Sequence, residues 1–81
     1  MAEGQWAEWI ESNPDKLGGK PCIKGTRISV EFVLELLAGG ETQESVLRSY
    51  PQITREGLSA ALNYAAKAMK NEVVWDLKLT A

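Results

Sequence analysis

The chain has 81 residues, 44 % of them apolar, with nine Lys and Arg against eleven Asp and Glu, no histidine and a formal charge of −2. That length fits one domain, 1–81, with a modest core, and the apolar content excludes wholesale disorder. The single cysteine, Cys22, excludes an internal disulfide and, with no histidine beside it, a structural zinc site; the negative charge excludes nucleic-acid binding by the surface as a whole.

At the start of the chain, Trp6, Trp9 and Ile10 have the spacing of one helical turn, but so short a stretch equally fits a strand packing its indoles inward. Asn13-Pro14-Asp15 reads as a turn, because Pro fixes φ and Asn or Asp bonds its own backbone. The loop from there to Gly25 is long for a hairpin, and Gly18, Gly19 and Gly25 predict a compact path with positive φ angles.

Ser29 is placed to cap a first helix, with Glu31 in its first turn. Val30, Val33, Leu34 and Leu37 fall at i, i+3, i+4 and i+7, and Phe32 and Leu36 widen that apolar face. Gly39-Gly40 ends the helix. Thr42 caps a short second helix carrying Val46, Leu47 and Tyr50, which Pro51 terminates because the residue before a proline avoids the helical region. Thr54 caps a third helix, the longest, with Leu58, Ala61, Leu62, Ala65 and Met69 on one face.

The fold class expected is mainly α: a three-helix, homeodomain-like helix-turn-helix bundle over 30–70, behind an N-terminal hairpin with a long glycine-rich loop. In the C-terminal extension 71–81, Val73, Trp75, Leu77 and Leu79 alternate as in a strand, although a helical continuation also sets Leu79 one turn from Trp75. No run approaches a membrane span and no leader pattern opens the chain, so a soluble, cytoplasmic protein without a membrane partner is expected.

Catalysis has little to work with. Without histidine there is no Cys-His or Ser-His pair, so no enzyme activity and no cofactor is expected. Lys20 and Lys24 flank Cys22 and would activate its thiol, but a small side chain packed in a tight loop is the simpler reading. Lys24-Gly25-Thr26 lacks the glycine spacing and order of a phosphate-binding loop. Lys16, Lys20, Lys24 and Arg27 do form a basic stretch on a glycine-rich backbone, a combination able to grip phosphate. Turn geometry, and pairing of Arg27 with a carboxylate such as Glu31, explain the same residues without a ligand.

On the third helix Arg55, Ser59, Asn63, Lys67 and Lys70 recur at steps of four, four, four and three and share a face turned from Leu58, Ala61, Leu62 and Ala65. Arg, Lys and Asn are the residues that read base edges and hold phosphates, so the stripe is a candidate DNA contact; it is also what any solvated helix face looks like. Three tryptophans and a first helix apolar on more than one side are bulky for so small a domain. They either complete one core or build a dimer interface or a groove for a partner, and the second reading is preferred. At least one tryptophan is therefore expected in an interface, and a homodimer is expected.

The stretch Gly18-Gly19-Lys20-Pro21-Cys22-Ile23-Lys24-Gly25-Thr26-Arg27 is taken with Asn13-Pro14, Tyr50-Pro51-Gln52-Ile53-Thr54 and Ala60-Ala61-Leu62-Asn63-Tyr64-Ala65. Together they resemble the small bacterial and archaeal proteins of domain-of-unknown-function family 433, over about Ile10 to Ala66. The resemblance implies a short strand around Trp9 to Ser12 pairing with one around Thr26 to Ser29. Its signature loop is Gly18, Gly19, Lys20, Pro21, Gly25, Thr26 and Arg27. Because some members are VapB-like antitoxins, it also implies a DNA-binding regulator and the antitoxin of a toxin–antitoxin pair, with DNA and a cognate toxin as partners. The acidic balance suits neutralising a basic toxin. The alternative is a protein-interaction module that does not bind DNA.

Overall fold

The structure, a computed structural model, describes residues 5–71, with side chains from Ala7 to Lys70. The candidate C-terminal strand, Trp75 and the side chain of Trp6 lie outside the described residues. The fold is mainly helical, three helices and a short two-stranded antiparallel sheet, in the order 3-10 turn (Gln5–Glu8), β1 (Ile10–Glu11), 3-10 turn (Leu17–Gly19), β2 (Cys22–Ile23), α1 (Val30–Ala38), α2 (Gln43–Ser49) and α3 (Arg55–Asn71).

Each helix begins where a hydroxyl side chain takes the place of a missing carbonyl. Ser29 Oγ accepts from the Phe32 amide, Thr42 Oγ1 from Ser45 and Thr54 Oγ1 from Gly57. Helix α1 stops in a Schellman turn. The amides of Gly40 and Glu41 return to the carbonyls of Leu37 and Leu36, and Gly40 supplies the positive φ of 105° that the turn requires. Pro51 ends α2, and Ile53, next in that turn, is buried against the core.

The strand pairing differs from the expectation. β1 pairs with Cys22–Ile23, in register Ile10 with Ile23 and Glu11 with Cys22, and not with Thr26–Ser29. The reason is a tight turn at Ile23-Lys24-Gly25-Thr26, closed by Thr26 N–H to the Ile23 carbonyl at 3.0 Å with Gly25 at φ 82°. It sends the chain back along the far edge of β2, where Ser29 bridges Cys22, Ile23 N–H bonds the Ile28 carbonyl and Val30 N–H bonds the Pro21 carbonyl. Cys22 is thus enclosed on both sides and fully buried, and it lies in a strand, not in the loop expected.

The core joins Ile10, Ile23, Ile28, Val30, Val33, Val46, Ile53, Leu58, Ala60 and Ala61, with Trp9 packed against it. Each helix packs on the other two, and α3 also covers both strands and the N-terminal turn. Alanine at 60 and 61 and glycine at 57 permit that close approach. A Cβ on Gly57 would stand 3.3 Å from the Ile23 side chain. On α1 the core line is Val30, Val33 and Leu37 with Leu36 beside it, whereas Leu34 is 38 % exposed and not the core residue its spacing suggests. On α3, Met69 is likewise 56 % exposed.

Candidate functional site

The signature loop is wired to itself. Leu17, Gly18 and Gly19 all have positive φ, and Ser12 Oγ donates to the Gly19 carbonyl at 2.6 Å. Glu11 occupies the place where a basic, glycine-rich loop would hold an anion. One of its carboxylate oxygens, Oε2, accepts from Lys16 Nζ at 2.7 Å and from the Gly25 amide at 3.2 Å. The Lys16 hydrogen bond foremost, then the Gly25 amide, holds the Glu11 carboxyl below its ordinary range. Thr26 Oγ1 donates to the Ile23 carbonyl at 2.8 Å and accepts from the Ile28 amide at 3.0 Å, so its hydroxyl is a strut inside the turn.

Of the remaining loop residues, Lys20 binds Glu31 at 2.8 Å, so Glu31 answers Lys20 and not Arg27 as the sequence suggests. The same hydrogen bond raises the Lys20 pKa. Arg27 and Lys24 are exposed on the turn. Pro21 contributes its carbonyl to α1 and its ring to the surface beside that helix.

The α3 stripe is present but partly committed. Arg55, at the start of the helix, meets Glu44 of α2 with both terminal nitrogens at 3.3 Å. Asn63 Nδ2 donates back to the Ser59 carbonyl, a bond within the helix. Lys70 and Asn63 are exposed, Ser59 and Lys67 half-buried. Glu41, Glu44 and Glu56 are exposed along this stretch together with Arg48 and Arg55, three acids to two bases, so the sequence leading from α2 into α3 is not basic.

The third feature is built by the surplus apolar surface of α1, with no tryptophan among its described lining residues. Between α1 and the second half of α3 runs an apolar groove of about 480 Å³, walled by Val30, Leu34 and Ala38 on one side and Tyr64, Ala65, Ala68 and Met69 on the other. Lys20, Pro21, Glu31 and Glu35 form its rim on the α1 side. The structure therefore brings Lys20 and Pro21 of the loop to the groove. By helical position the α3 stripe faces the other way. The signal for the groove was the excess apolar width of α1. Among the described residues no three His, Cys, Asp or Glu stand close enough to hold a metal, and no helix is long and apolar enough to cross a membrane.

Comparison with known proteins agrees with this architecture. The profile of the family described as "Protein of unknown function (DUF433)" matches residues 10–65, from β1 into the groove wall of α3. The chain belongs to this family. An uncharacterised protein, y4eO of Sinorhizobium fredii (strain NBRC 101917 / NGR234), is 38 % identical over 58 residues, 72 % of this chain. The chain spans only 26 % of that relative's length. The crystal structure of a DUF433 member from Anabaena variabilis ATCC 29413 superposes with a TM-score of 0.73 at 32 % identity, covering 76 % of this chain and 61 % of the other.

Proposed function

We propose that this DUF433 chain acts by binding another protein through the groove between α1 and α3. The observation that carries this reading is the pairing of an apolar floor with exposed Leu34 and Met69 on its walls. Contiguous exposed apolar surface on a small domain marks an interaction site. The groove offers no converging set of buried polar groups of the kind that orients a small-molecule ligand. The thiol of Cys22 is sealed in the sheet, which favours a binder over an enzyme. An antitoxin, which works by occupying its toxin, is one form of this function. Tagged full-length chain, wild type and Leu34→Ser/Met69→Ser, is used to capture partners from the native host. One protein recovered in stoichiometric amount by wild type and lost with the double variant is the expected result. Equal recovery by both variants of every bound protein overturns the reading.

DNA binding is a second reading, favoured by the order of α2, a five-residue turn and a 17-residue α3 with exposed Asn63 and Lys70. As a helix-turn-helix it would use the stripe Arg55, Ser59, Asn63, Lys67 and Lys70. The Glu44 contact on Arg55 and the exposed glutamates beside it oppose phosphate approach. Gel shifts on the gene's own upstream DNA at low salt decide it. Retardation by wild type, lost with Asn63→Ala/Lys70→Ala, would establish DNA binding, and no retardation removes it.

A further inference from the structure

The groove also carries information about what enters it. Its α1 wall runs from Val30 to Ala38, about two helical turns, and its α3 wall from Tyr64 to Met69, about one and a half. Both walls are helices, and the opening matches the way an amphipathic helix lays anchors at i, i+3 or i+4 and i+7 into a partner. The charge on the rim is one-sided. Two carboxylates, Glu31 and Glu35, stand one turn apart on α1, and Lys20 is engaged by Glu31 at 2.8 Å. Lys20 also feels the charge of Glu35, so the rim sets one ammonium against two carboxylates and keeps a net charge of −1, with Glu35 in a last turn of α1 that contains no basic residue. A carboxylate is unfavourable there, because the carbonyl end of a helix is already negative. The α3 wall opposite is uncharged. A cation on the occupant, beside Glu35, would relieve this.

Resting on the protein-binding reading, we infer that the groove receives an amphipathic helix of another protein, with apolar anchors on one face and a lysine or arginine flank set against Glu35. Two other occupants fit the charge less well. A second copy docked groove to groove would oppose two Glu35 rims with no uncommitted base among the lining residues. The chain's own segment 72–81 carries Glu72 and Asp76 against Lys78, two acids to one base, so it brings the wrong sign.

Two fluorescein-labelled helical peptides of about 14 residues, four turns, are titrated against the full chain by anisotropy. They share the same leucine anchors and differ in carrying Lys or Glu on the flank. The Lys peptide is expected to bind saturably and about threefold to fivefold tighter than the Glu peptide, the range a single rim charge commands. Glu35→Lys should reverse that preference, and Leu34→Ser/Met69→Ser should weaken both peptides. Equal binding of the two, unchanged by Glu35→Lys, overturns the basic partner while leaving the groove a protein site. Failure of both peptides overturns the helical partner, and the capture experiment then still decides the wider reading. Light scattering that finds a dimer dissociated by the double variant assigns the groove to a second copy and overturns the inference.

Discussion

Thr26 ties the signature loop together more than any of its basic residues. Its hydroxyl serves a carbonyl and an amide at once, and Thr26 and Ile28 are each only 8 % exposed, so Thr26→Val leaves the Ile28 amide buried without a partner. The expected cost is about 1–3 kcal/mol, read from chemical denaturation. A melt equal to wild type would mean that the turn closes on Thr26 N–H alone. Gly25 tests the same turn through the backbone. A Cβ there meets nothing within 4 Å, so Gly25→Val is penalised by the φ of 82° and not by crowding. It should destabilise by about 1–3 kcal/mol. Gly25→Asn, which tolerates that region, should recover much of the loss. If Val and Asn behave alike, strain is not the reason for glycine.

Among the elements, what could be read along the chain is what is local. The three caps, the Gly39-Gly40 stop and the break at Pro51 each depend on residues within one turn of one another, and all stand where the sequence puts them. The strand pairing was misplaced because it depends on which edge of Cys22–Ile23 the returning chain takes. That is set by a single turn, and the residues of both edges are equally fit for a strand. The stripe on α3 could be counted, but Glu44 gripping Arg55 from α2 could not. Glu11 shows the same limit, since a carboxylate eleven residues into the chain neutralises a loop that looks like an anion site. Its folded pKa lies below 4.5, so its contribution is present above that pH and is lost as the pH falls through the folded value. Wild type should therefore lose stability on acidification below about pH 5, and Glu11→Gln should lose less over the same range. Thermal melts at stepped pH provide the comparison. Parallel curves for the two proteins would remove Glu11 from the acid response.

For the molecule as a whole, the question is whether the groove belongs to the folded core or to its surface. The core closes around Val33, Val46 and Leu58, each no more than 1 % exposed, and α3 reaches it through Ala60 and Ala61. Leu34 and Met69 lie outside that cluster, on opposite walls of the groove. Their apolar surface then adds little to stability, as the proposed binding face requires. Leu58→Ala should cost about 2–5 kcal/mol, because a fully buried leucine leaves a cavity that a closely packed helix cannot collapse. Leu34→Ser/Met69→Ser should change stability by only about 0.5–1 kcal/mol, as surface substitutions do. In a domain of this size each kcal/mol moves the melting temperature by roughly 4–8 °C, so the two variants separate clearly by circular dichroism. A double variant that melts as low as Leu58→Ala would show that Leu34 and Met69 are covered in the full chain. The groove would then be part of the fold, and a partner would find it closed.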